Sequence, residues 1–285
     1  MENYLSQILK YLIKVLESTL NQLVILFVPL LILMVLLNLS AGLTAKLSVR
    51  FWGRNLFLYG FAWLGCSVHE LSHAFFALIF GHKIKEITLF KPNSSGESMG
   101  HVSHSYNKKS IYQKTGNFFI GIGPLLAGGF VLFFVTLLLF RFDITEGPAI
   151  TLNSKIITEI SALKQLSVGI WTGLSNFLML IYHAIALTWW KPALLIYLLY
   201  SCGSSMTLSK SDVSGALSGF LWLIVFILIF NLLTLWLGDF ATKYLMNIVK
   251  YISGFYFILI LTLISNLFFS LVLFILNLFK GLFIS

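Results

Sequence analysis

From Ile252 to Phe279 the chain carries no charged side chain, and the same holds from Val213 to Leu237. Each run exceeds the ~20 residues that cover the hydrocarbon core of a bilayer. Further apolar runs occupy about Leu20 to Leu43, Leu56 to Phe80, Asn117 to Phe140 and Ala193 to Met206. Only 10% of the 285 residues are charged, against the roughly 25% usual in soluble domains. The pattern predicts an α-helical polytopic membrane protein with about six transmembrane helices. A further stretch, Leu166 to Trp190, is apolar but interrupted by Gly169, Gly173, Asn176 and His183. It fits a surface or re-entrant segment as well as a crossing.

No linker or repeat divides the chain, so residues 1–285 read as one membrane-embedded domain. In residues 1–19, Leu5, Ile8, Leu9, Leu12, Ile13 and Leu16 share one helical face, which predicts an amphipathic helix on the membrane surface. Residues 81–115 are polar and basic, with alternation over Lys83 to Leu89, a turn at Asn93, Ser94, Ser95 and Gly96, and a return strand at His101 to Tyr106. They predict a small membrane-adjacent β-hairpin or sheet. The stretch holding Asp143, Glu146, Pro148 and Glu159 reads as extramembrane. A net charge of +9 suggests anionic lipid headgroups rather than nucleic acid, because the basic residues lie in loops and at helix ends. Cys66 and Cys202 both sit in apolar segments and imply no disulfide framework. Lys83, Lys85, Lys91, Lys108, Lys109 and Lys114 favour the 81–115 side as cytoplasmic.

Inside the second apolar run the chain reads His69-Glu70-Leu71-Ser72-His73. Helical positions i and i+4 share a face, so both imidazoles can address one metal ion. Glu70, one position on, can reach a metal-bound water without being a ligand. A zinc hydrolase needs such a set: two imidazoles, a water acidified by zinc, and a carboxylate to take its proton. As helix-to-helix glue the set is expensive, since each ionisable group at depth costs roughly 2.5–3.5 kcal/mol.

One zinc per chain would need a third protein ligand. Of the carboxylates considered, Asp212 is the best placed, at the head of a late span in Ser209-Lys210-Ser211-Asp212-Val213-Ser214-Gly215. Ser209 and Asp212 also fit a helix capping box. His101, His104 and His82 are rival ligands, although His101 and His104, three apart on a strand, would point to opposite faces. His101, His104 and Asn117 are also candidate substrate-binding residues, Asn117 as an amide that holds a substrate backbone or stabilises an oxyanion. Gly123, Ala127 and Gly128 favour close helix contact, and Pro124 disturbs the helical ladder. If Asp212 is to meet His69 and His73, the chain must cross once between Phe140 and Thr207.

With this motif in an early apolar helix, a basic loop of strand character, Gly123-Pro124 in the next span and a late Asp near Gly, the chain resembles the site-2 protease family of intramembrane zinc metalloproteases. The resemblance covers about Leu56 to Leu237, which would be the catalytic core. It implies hydrolysis of peptide bonds in or near transmembrane segments of protein substrates, with His69, His73 and Asp212 holding zinc and Glu70 as catalytic base. It also implies that the 81–115 region helps to present an unwound substrate. The chain departs from the family where a Leu-Asp-Gly sequence is usual: Ser211 precedes Asp212, and Gly215 follows three places later. The economy of loops suggests a prokaryotic plasma membrane, with the site nearer the cytoplasmic side. Two other classes fit the same cluster: a metal-ion transporter, and a catalytically inactive scaffold for transmembrane helices.

Overall fold

The computed structural model describes residues 2–92, 99–140 and 160–284. They form eight α-helices: α1 (Glu2–Trp52), α2 (Arg54–Phe57), α3 (Trp63–Ile79), α4 (Ile111–Phe140), α5 (Ile160–Thr188), α6 (Trp190–Ser204), α7 (Lys210–Thr234) and α8 (Phe240–Ile284). Strands β1 (Lys83–Thr88) and β2 (His101–Ser105) form an antiparallel pair. Among the described residues, five stretches are long and apolar enough to cross a membrane: Tyr4–Trp52, Ile111–Phe140, Ser167–Thr188, Lys210–Leu237 and Ile252–Leu282. The chain is a helical, multi-pass membrane protein.

The helices differ from the expected runs in three places. The run from Leu56 to Phe80 is interrupted by a π-helical turn at Leu58–Ala62, which separates α2 from α3. The run from Ala193 to Met206 becomes α6, whose 15 residues extend only about 22 Å at 1.5 Å per residue. Conversely, the interrupted stretch after Leu166 forms the continuous helix α5, with Gly169, Gly173 and Asn176 inside it.

The first 19 residues do not form a separate surface helix. They continue straight into the first span, because Ser18, Thr19 and Gln22 are tied to later helices. Asn231 Nδ2 donates to Thr19 Oγ1 (2.9 Å) and Gln22 Oε1 (3.0 Å), and Gln22 Nε2 donates to Thr242 Oγ1 (3.0 Å). The predicted apolar face, Leu5 to Leu16, is exposed, and the buried face carries Val15, Ser18, Thr19 and Gln22 instead. Asn93 to Gly96 and the acidic stretch from Asp143 to Glu159 lie outside the described residues.

The main core joins α1, α4, α6, α7 and α8 through Leu37, Phe118, Ile122, Leu125, Leu132, Leu195, Leu223, Phe257 and Leu259. Glycines set the closest approaches. A side chain on Gly121 would strike the backbone of Asp212, and one on Gly219 would strike the backbone of Phe118. These contacts make α4 and α7 antiparallel. Gly116 lies against Phe80, and His73 against Ile120, so α3 and α4 are antiparallel as well. Gly65 abuts Ser201, and His69 meets Ser205, so α6 runs parallel to α3. Helices α6 and α7 therefore run in the same direction, as two pieces of one path broken at residues 205–209. The return towards the His69 level that an Asp212 ligand requires is made by α6.

Helix α3 stops at Gly81, whose φ of 69° suits a residue without Cβ. His82 N donates to Ala77 O (2.8 Å), closing the helix end and turning the chain into β1. The hairpin does not project away from the end of α3. It folds back along the helix: the Cys66 thiol donates to Leu89 O (3.4 Å), and Phe90 packs edge-on to Tyr59. A bulge between Ile84 and Glu86 adjusts the register.

Candidate metal centre

His69 and His73 occupy one face of α3, as their spacing requires, with ring centroids 5.0 Å apart. Each ring is held through Nδ1. His69 Nδ1 lies 3.0 Å from Ser205 O, and His73 Nδ1 lies 2.9 Å from Ile120 O. A carbonyl oxygen only accepts, so both Nδ1 atoms carry a proton, and in its neutral form each ring presents a lone pair at Nε2. The two Nε2 atoms lie 3.2 Å apart, and Asp212 Oδ1 lies 3.6 Å from that of His73. One ligand atom from each of the three residues falls within 4.8 Å of the others.

Facing lone pairs beside a carboxylate repel unless a cation lies between them. For a tetrahedral zinc with bonds of ~2.05 Å, ligand atoms stand about 3.3 Å apart, close to two of the spacings found here. The donor set thus fits zinc, and the backbone bonds at Nδ1 supply the orientation that metal-binding histidines usually need.

The chain makes both orienting carbonyls free to act. Ser205 follows the end of α6. Ile120 lies inside α4, where its carbonyl would normally accept from residue 124. That residue is Pro124, which has no N–H, and the unused carbonyl takes His73 Nδ1–H instead. Replacing Pro124 with Ala is therefore expected to improve the helix yet weaken zinc binding by roughly 10–100-fold, as losses of such outer contacts do. Competitive zinc titration against a chelator would measure it; unchanged affinity would mean that the Pro124 gap does not orient His73.

Asp212 acts at two places. Its Oδ2 accepts from Ser209 N (2.8 Å), while Ser209 Oγ accepts from Asp212 N (3.1 Å), completing the capping box of α7. The other oxygen, Oδ1, is the one that faces His73. Capping and metal-facing positions, alternatives at the level of sequence, are combined in one side chain. The break before α7 is pinned by Leu208 N, which donates to Asn38 Oδ1 (2.7 Å).

Glu70 is buried, and its Cγ approaches Gly100, where an added Cβ would lie 2.6 Å away. A cavity of about 460 Å³ opens over the cluster, lined among others by His69, Glu70, His73, His101, Asn117 and Asp212. His104 lines it as well. The Asn117 side chain makes no hydrogen bond to another described residue, so its amide is available to the cavity. His101 and His104 do not join the three-residue cluster. His101 Nε2 pairs with Glu86 Oε1 (3.3 Å), and His104 Nδ1 meets His82 Nδ1 (3.0 Å).

Sequence reasoning missed the roles of Ser205 and Ile120, which act through backbone carbonyls and leave no side-chain signature. Pro124 was the available sign of the second. It also missed Gly100, Gly121 and Gly219, although Gly215 and Gly219 form a small-xxx-small pair. Gly123 and Gly128 do make close contacts, with Ser72 and Phe76 and with Met206 respectively. No protein-family model matches the sequence, and neither a curated protein nor a solved structure matches it significantly.

Proposed function

We propose that the protein is an intramembrane zinc metalloprotease, hydrolysing peptide bonds in or near transmembrane segments of membrane protein substrates. The observation that carries this reading is the convergence of three potential ligand atoms, from His69, His73 and Asp212, beside the buried Glu70 side chain. Zinc bound there would supply Lewis-acid polarisation of a peptide carbonyl and a water acidic enough to react near neutral pH. Glu70 would serve as the base that takes a proton from the attacking water and as the acid that returns it to the departing amine. The Asn117 amide donates to the oxygen on which negative charge grows.

The cavity supports a peptide substrate. It is polar on the side of His101, Asn117 and Ser218, and it borders the β1–β2 pair, where an extended segment finds backbone partners. A helical peptide bond in lipid is protected by its own hydrogen bonds, so local unwinding must come first. The lysines of residues 81–115 favour a site nearer the cytoplasmic face, and we place the protein in a prokaryotic plasma membrane.

The test is cleavage of a single-span peptide, with a Gly- or Asn-containing segment, in reconstituted vesicles. Wild-type protein is expected to cut it, to lose activity on chelation, and to regain it with stoichiometric zinc. Persistent cutting by the fully metal-free protein would overturn the metalloprotease reading.

A further inference from the structure

His82 is buried at the end of α3 and held from several sides. Its Nε2 lies 2.8 Å from Gln113 O, and Tyr106 stacks on its ring at 4.9 Å. The same Gln113 is fixed through its side chain: Nε2 donates to Gly81 O (2.9 Å), and Oε1 accepts from Asn107 N (2.6 Å).

This framework determines two protons in sequence. Gln113 O only accepts, so His82 carries its proton on Nε2 and keeps a lone pair on Nδ1. That lone pair faces His104 Nδ1 at 3.0 Å, so the neutral pair bonds only if His104 carries its proton on Nδ1. His104 is left with an unprotonated Nε2. Burial, followed by the proximity of His82 and then His73, holds the His104 imidazole below its usual pKa, which favours this neutral form. His104 also lines the cavity that contains Glu70, His73 and Asp212.

We propose that His104 is a peptide-binding residue that accepts a backbone N–H from an extended substrate, and that His82 is the positioning residue that fixes its tautomer. The proposal rests on the protease reading and adds how the substrate is held. Unwinding a transmembrane segment strips amide N–H groups of their partners, and an N–H buried without a new partner is costly. A neutral imidazole with its lone pair free is an acceptor that needs no charge. Among the hairpin histidines that line the cavity, His101 already has Glu86 as partner.

The decisive measurement is binding of the same fluorescent single-span peptide to the Glu70→Gln protein in nanodiscs, where affinity is read without turnover. His104→Leu is expected to weaken binding roughly tenfold, whereas His104→Gln, which retains an acceptor oxygen, stays within about threefold. His82→Phe keeps the ring stacked on Tyr106 but removes the fixed acceptor, and is expected to weaken binding several-fold. In ¹⁵N spectra of histidine-labelled protein, it should also convert His104 from one tautomer to a mixture. Equal affinities throughout the series, no measurable peptide binding, or a wild-type His104 protonated on Nε2 would each overturn the proposal. Zinc content and cleavage by the wild-type chain are measured separately. A chain that holds zinc and cuts peptide but ignores His104 would sink this inference alone, whereas absent zinc and cleavage would sink the protease reading.

Discussion

Glu70→Gln is expected to lower peptide hydrolysis by about 10²–10⁴-fold while zinc content stays at the wild-type level. The substitution retains shape, which matters at a buried position whose Cγ already presses on Gly100. It removes the ability to take a proton from water and return it to the amine. The three atoms that converge belong to His69, His73 and Asp212, so the proposed ligand set is untouched. The rival readings give different results. A transporter or a helix-binding scaffold that depends on the ligands would keep most of its function in this variant and lose it in His69→Ala. Cleavage assays in vesicles, paired with metal analysis on the same preparation, separate these outcomes. Undiminished hydrolysis in Glu70→Gln would remove Glu70 from the chemistry.

Much of this arrangement was legible in the sequence because its causes are local. A charge-free run such as Ile252 to Phe279 has few options other than a membrane helix, and the His69–His73 spacing fixes a shared face wherever the helix forms. The strand pair was legible for the same reason, through the alternation over Lys83 to Leu89 and the return strand at His101. Properties that depend on how helices meet were not. Helix α1 continues through residues 2–52 because Asn231, distant in sequence, accommodates Thr19 and Gln22. The segment from Ala193 to Met206 had the composition of a span, yet the Asn38 contact and the Ser209 cap divide the path into α6 and α7. Those contacts set the position of Asp212, so the proposed ligand with no local spacing signature depends most on tertiary structure.

Metal analysis should accordingly find about one zinc per wild-type chain, and less in both His69→Ala and Asp212→Ala. The two losses should differ in kind. His69→Ala removes an imidazole whose Nδ1 is already engaged by Ser205, leaving His73 with a single carboxylate partner, and zinc should be lost outright. Asp212→Ala removes a proposed ligand and one half of the α7 capping box together. The cap alone is worth ~0.5–2 kcal/mol, so some fall in thermal stability accompanies the loss of zinc. Ser209→Ala separates the two effects. It deletes the Ser209 Oγ bond to Asp212 N but leaves Asp212 Oδ1 free to face His73. That variant should show the stability loss with zinc largely retained. If Asp212→Ala instead kept its full zinc complement while His69→Ala lost it, Asp212 would be a cap and nothing more. The third ligand would then have to come from the cavity's remaining donors, with His104 nearest in kind because its Nε2 is left unprotonated.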